Sequence, residues 1–183
     1  DPPFGSRQEF RGSQDQKAYQ DKIAGSEFME FLRKRLMFLR EILADDGTIY
    51  VHLDYRTLHY IKLLMDEIFG KERLINEAVY SYRIQGISQS SWARKHQTLL
   101  FYAKTPNYLF KPEREIVYYE KPFIGTKKDE KGRYYNDVFV RDVWDCDYTK
   151  PFISGSKEYV GYRTQKSEGL LKRIIEASTE EGD

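Results

Sequence analysis

Residues 46–54 read Asp46-Gly47-Thr48-Ile49-Tyr50-Val51-His52-Leu53-Asp54. A β-prone run, Thr48 to Leu53, stands between turn formers, which predicts a buried strand. Upstream, Ser26–Ala44 puts Phe28, Leu32, Leu36, Leu39 and Leu43 on one helical face, with Ser26 as N-cap and Asp45-Asp46-Gly47 as the stop. Downstream, Arg56–Phe69 reads as a second helix, with Leu58, Ile61, Met65 and Ile68 in phase and Gly70 at its end. Glu77–Tyr82 and Thr98–Ala103 follow as two strands joined by a polar loop, and Ser167–Ser178 is a last helix carrying Leu170, Leu171, Ile174 and Ile175. Ser6–Gly25 is polar and aperiodic and reads as a long loop, while about 50 residues after Lys104 read as short, mixed segments. The order helix–strand–helix–strand–strand predicts an α/β architecture whose sheet edge is closed by a hairpin.

The 183 residues suffice for one ordinary domain with its own core. An aromatic content of 15% argues against disorder. A net charge of +1 names no partner, and one cysteine, Cys146, excludes a disulfide framework and a cysteine-based zinc site. No apolar run approaches the roughly 18 residues of a membrane span. No basic, then apolar, leader precedes the first residues, so a cytoplasmic location is the default expectation. The lack of an initiator Met suggests that the natural start lies elsewhere.

Charge distribution says more than its sum. From Ala78 to Pro112 there is no Asp or Glu, yet the stretch holds Arg83, Arg94, Lys95, Lys104 and Lys111 with His96, Trp92 and several Tyr. A basic, acid-free stretch with aromatics suits a nucleic-acid face. Lys111–Lys150 carries 9 basic and 9 acidic residues and adds no net field.

The first four residues, Asp1-Pro2-Pro3-Phe4, form a chemically coherent set. Proline lacks an N–H and has a fixed φ, so consecutive prolines leave a stiff loop with no strand ladder. The Asp1 carboxylate and the Pro2 carbonyl are then two acceptors without local donors, which is what an exocyclic amino group requires. Two hydrogen bonds to that group favour a pyramidal nitrogen and free its lone pair. Phe4 offers a flat face on which an extruded base stacks, worth roughly 1–3 kcal/mol.

Asp1-Pro2-Pro3-Phe4 resembles the catalytic motif of S-adenosylmethionine-dependent amino-methyltransferases of DNA. In that family aspartate in the first place points to adenine N6, and serine is more typical of cytosine N4 enzymes. Gly161-Tyr162-Arg163-Thr164-Gln165-Lys166-Ser167-Glu168, followed by Leu170-Leu171-Lys172-Arg173-Ile174-Ile175, resembles the family's G-Y-P-T-Q-K-P-E-x-L-L-x-R-I-I segment at the methionine end of the cofactor pocket. Arg163 and Ser167 stand where the family commonly has proline, which bears on the stiffness of that turn. Residues 46–54 resemble its D-G-x-I-x-x-x-x-D strand, Arg94-Lys95-His96 its K/R-x-H-E/D block, and Asp142-Val143-Trp144 a D-V-W block. Both the order and the content of the blocks fit the subclass in which the catalytic motif precedes the cofactor segments (the β arrangement).

The resemblance implies methyl transfer from S-adenosylmethionine to adenine N6 in double-stranded DNA, at a specific short site and with the base flipped out of the helix. It implies a partial Rossmann-like methyltransferase core, with the later strands, a closing β-hairpin and flanking helices, plus an irregular target-recognition insertion. Residues 1–104 would be the partial core with the catalytic motif, 105–160 the target-recognition region, and 161–183 the cofactor-flanking segment and helix. Asp1, Pro2, Pro3 and Phe4 are the implied catalytic residues, and Asp1, Thr164, Gln165 and Lys166 border the cofactor. Arg83, Arg94, Lys95, His96 and Arg133 are the candidate DNA contacts, and a restriction subunit is a candidate protein partner. The family's strand before the catalytic motif and its F-x-G-x-G loop are not in these 183 residues, so the chain reads as a fragment with weak cofactor binding of its own. Two rivals stay open: a cytosine N4 methyltransferase and a non-catalytic nucleic-acid-binding module. His52 and Asp54 share a strand face but have no third ligand near in sequence, so a metal is not expected. His59 reads as a solvated helix residue, Cys146 between two aspartates as inert, and Asp129–Arg133 as a charged turn.

Overall fold

The computed structural model describes residues 2, 9–11, 17–20, 26–82, 88–144, 157–162 and 164–183. In chain order its elements are strands Glu9–Arg11 (β1) and Lys17–Gln20 (β2), helix Ser26–Ile42 (α1), strand Thr48–Leu53 (β3), helix Leu58–Phe69 (α2), and strands Leu74–Ser81 (β4) and His96–Ala103 (β5). Strands Arg114–Tyr119 (β6), Lys127–Lys128 (β7), Tyr134–Phe139 (β8) and Val143–Trp144 (β9) follow, and helix Glu168–Ser178 (α3) comes last.

The core sheet has the order β3-β5-β4-β9, antiparallel throughout except that β9 runs parallel to β4. Side chains alternate across a strand, and the two faces bury different sets. Val51, Leu53, Leu100 and Tyr102 meet Phe28, Leu32 and Leu36 of α1 and Ile61, Leu64, Met65 and Phe69 of α2. Ala78, Tyr80 and Leu99 meet Trp144 and Leu170 on the α3 side. Covering on both faces is why β5 reads as the unbroken apolar run Thr98–Ala103. Tyr102 is fully buried, and its hydroxyl donates to Asp66 at 2.7 Å; Asp66 also accepts from Lys62 at 2.6 Å. At the end of α2, Gly70 takes φ +96°, a conformation open to glycine and costly for other residues.

The expected α/β architecture and a β4–β5 hairpin are present, with five differences in detail. The hairpin does not close the sheet edge: β3 flanks β5 and β9 flanks β4, so both of its strands are interior. The span 6–25, read as a loop, contains the antiparallel pair β1–β2; strands of three and four residues without apolar alternation leave no periodic signal. The second helix begins at Leu58, not Arg56, because Asp54 Oδ1 accepts from the Arg56 amide at 3.0 Å and holds a turn there. The hairpin strands begin earlier than their apolar cores: β4 at Leu74, where the chain leaves the 3-10 turn Lys71–Arg73, and β5 at His96, paired with Ser81. Leu39 lies at the margin of the α1 apolar face and is 42% exposed.

The span 105–160 is more regular than short mixed segments suggested. It holds an antiparallel sheet of order β6-β8-β7, and β9 then returns to the core sheet. Two ion pairs tie this span to α3 and the residues just after it: Arg173 Nε to Glu113 at 2.8 Å, and Lys111 Nζ to Glu180 at 2.7 Å.

Candidate active site at the carboxyl end of β3 and β4

The register Leu53↔Thr98 and Ser81↔His96 brings the carboxyl ends of β3 and β4 to the amino end of β5. Four of the sequence-selected residues lie here: Arg94, Lys95 and His96 at the start of β5, and Lys166, whose charge acts on His52 near the end of β3.

Asp54, directly after β3, is almost wholly buried, and its Oδ2 accepts from Arg56 Nε at 2.7 Å and also contacts Nη2. Between them, Tyr55 presents a half-exposed ring with the Arg94 guanidinium 4.3 Å from its centroid and that of Arg56 at 5.8 Å. Two guanidinium groups thus meet one aromatic ring at this strand end, that of Arg56 already paired with Asp54. Lys95 contributes its carbonyl, which accepts from the Tyr82 amide at 2.9 Å, and His96 is exposed. Burial, with the Asp54 carboxylate nearby, raises the Tyr82 phenol above its ordinary value.

His52 is buried and lies edge-on to Tyr80 at 5.9 Å between ring centroids. Burial pushes its imidazole down to about 3, helped by the Lys166 charge and opposed by a hydrogen bond with Gln97, so it is neutral at pH 7. Burial also draws the Lys166 ammonium down to about 8.

Residues 164–166 enter α3 through a tied turn. Gln165 Nε2 donates to the Glu158 carbonyl at 2.7 Å, and its Oε1 accepts from the Val160 amide at 3.0 Å. Its amide group is thus spent on fixing the turn that presents half-buried Thr164 and Lys166. Ser167, where the resembled segment has proline, caps α3 by accepting from the Leu170 amide at 3.4 Å.

Arg133 lies at a separate place, the tip of the β7–β8 turn. Asp129 accepts its amide and its Nε, each at 2.8 Å, and its guanidinium sits 4.1 Å from the Tyr118 centroid. Pro2 is half-buried; Asp1, Pro3, Phe4, Arg83 and Cys146 lie outside the described residues. A cavity of about 490 Å3 occurs on the α3 side, between Tyr50, Phe101, Trp144 and Arg173, away from this strand end. Sequence reasoning passed over Tyr55 and Arg56. Their one signal was position, directly after a strand ending in Asp54.

Among curated proteins, the chain is similar to the type II methyltransferase M.EcaI of Enterobacter cloacae, 36% identical over 140 residues, covering 73% of this chain and 30% of that protein. It is 30% identical over 156 residues to the type III restriction-modification enzyme EcoP15I Mod subunit of Escherichia coli, covering 79% of this chain and 24% of that protein. It is 25% identical over 189 residues to the DNA adenine methyltransferase YhdJ of Escherichia coli K12, covering 100% of this chain and 60% of that protein. The chain therefore spans between about a quarter and three fifths of the length of these relatives. A family model described as DNA methylase matches residues 1–183, the whole of the sequence whose strand-end site is described above, and the chain belongs to that DNA methylase family.

Proposed function

We propose that the protein carrying this chain transfers a methyl group from S-adenosylmethionine to N6 of adenine in duplex DNA, at a specific short site. The observation that carries this reading is Asp1-Pro2-Pro3-Phe4 in a chain matched over its whole length by the DNA methylase family. One relative, a DNA adenine methyltransferase, supports adenine over cytosine.

The residues present fit the methionine end of the cofactor: a half-buried ammonium on Lys166 suits its carboxylate, and the Thr164 hydroxyl lies two residues away. When bound, that cofactor supplies an electrophilic methyl group on a sulfonium. The chain's own part is orientation. Asp1 Oδ and the Pro2 carbonyl accept the two N–H groups of the target amine, directing its lone pair, and Phe4 stacks on the base. The base must leave the helix to reach them, at a cost of a few kcal/mol. The amine loses its proton after the nitrogen has gained the methyl group, so no strong general base is needed. Arg83, Arg94, Lys95, His96 and Arg133 face the DNA, and 105–160 selects the site. Relatives named as Mod subunits of restriction-modification enzymes support a restriction subunit as partner.

The test is nucleoside mass spectrometry of duplex DNA after incubation with the protein and cofactor. N6-methyladenine is expected, and Asp1→Ala should abolish it while cofactor binding stays largely intact. N4-methylcytosine instead would establish the cytosine enzyme. DNA binding with no methylated base would leave a binding module.

A further inference from the structure

Trp92 is 96% exposed. It stands in the β4–β5 connection, among Ser88, Ser90, Ser91, Ala93, Arg94 and Lys95. An indole left in water is a large apolar surface with nothing to cover it. Its neighbours in sequence from Ser88 to Lys95 are polar or small, so among the described residues of this connection it is the one large apolar side chain.

Its position is set firmly from one side. Arg94, two residues on, has its guanidinium 4.3 Å from the Tyr55 ring, and the Lys95 carbonyl accepts from the Tyr82 amide at 2.9 Å. Trp92 is therefore held within two residues of an anchor at the carboxyl end of β3, the end on which Lys166 also acts. The whole stretch Ala78–Pro112 lacks acidic residues. A flat ring on a cationic limb calls for a partner with negative charge and aromatic faces together, which is the chemistry of stacked bases on a phosphate backbone.

Resting on the methyltransferase reading above, we propose that Trp92 enters the base stack of duplex DNA at the target site and fills the gap left when the target base swings out. Apolar wedges between base steps perform such unstacking in other DNA-bending proteins. Arg94 and Lys95 hold the adjoining phosphates and set the depth of insertion. Trp92 then acts as a positioning residue: it touches the vacated stack, not the reacting amine, and favours the extruded state over the paired one.

The test is methylation by the wild type and by Trp92→Ala and Trp92→Phe variants on two duplexes, one fully paired and one with an abasic site opposite the target adenine. The second needs no help in opening. With the indole so exposed, folding should not change, and circular dichroism with cofactor titration checks this. Trp92→Ala should lose at least tenfold in kcat/KM on the paired duplex and recover to within about threefold of wild type on the abasic one, with Trp92→Phe in between. An equal loss on both duplexes, or no loss on either, overturns the wedge while leaving the methyltransferase reading in place. A wild-type protein that methylates neither duplex overturns both.

Discussion

His52 and Asp54 stand two residues apart at the end of β3 and share a strand face, and with no third ligand near them in sequence no metal is expected there. The structure gives them separate tasks: His52 packs edge-on to Tyr80, and Asp54 holds the turn through Arg56. Burial of a neutral imidazole has a consequence for stability. The folded value is about 3 against an ordinary 6.5, so between those values the unfolded chain binds the extra proton. His52's contribution is fully present above pH 6.5 and is lost as the pH falls towards 3. At pH 4.5 that loss amounts to about 2.5 kcal/mol. Lys166 does not overlap with it, since its own window lies between about 8 and 10.5. His52→Gln should therefore flatten the decline in urea-unfolding free energy between pH 7 and 4.5, even if the variant is less stable at pH 7. A decline as steep as in the wild type would assign the acid sensitivity to other groups. The same proximity of charge places the 164–166 turn at this strand end, which spacing in the sequence could not do.

The elements legible in the sequence were those with a period. In α1, Phe28, Leu32 and Leu36 are buried as the helical spacing requires, and β3 matches its run from Thr48 to Leu53. Strands whose pairing depends on distant residues were illegible: β9 is two residues long and exists through its partnership with Val79 and Tyr80. Ser167 shows how a departure from a resembled motif can be absorbed within one element. Proline there would stiffen the approach to α3, whereas serine contributes a hydroxyl to the Leu170 amide. Ser167→Ala should cost about 1 kcal/mol, the usual loss of an N-cap. Ser167→Pro should cost less, because the native φ of −67° is already that of proline and the unfolded chain loses freedom. Thermal unfolding of the two variants decides it; proline more damaging than alanine would mean that the Ser167 amide or its surroundings cannot admit the ring.

At the scale of the molecule, the core sheet buries both faces, and the 105–160 span is bound to its α3 side. The candidate site is correspondingly split. Its strand-end cations were legible as an acid-free stretch, and the assembly of Tyr55, Arg56 and Arg94 around one ring was not, because it joins segments about 40 residues apart through β5 pairing. Arg173 is where the α3 face and the 105–160 span meet. Its side chain is 8% exposed, lies 5.4 Å over Trp144, and pairs with Glu113, which is 41% exposed. Two accounts of this residue differ in what they predict. If the ion pair holds the junction, removing either partner should do similar harm. If the buried guanidinium and its stem matter mainly as packing on Trp144, the effects should diverge, since a long cationic side chain covers apolar surface as well as carrying charge. The burial favours the second account. Glu113 keeps contact with water, so its own desolvation is slight, and a Gln in its place still offers an oxygen to the guanidinium. Arg173→Ala should therefore lower unfolding free energy by about 2–3 kcal/mol, as a large-to-small change at a buried position does. Glu113→Gln, which keeps an oxygen facing the guanidinium, should cost less, about 1–2 kcal/mol, and Arg173→Met, which refills the space without the charge, should recover much of the loss. Equal destabilisation by Arg173→Ala and Glu113→Gln in denaturant unfolding would return the junction to electrostatics.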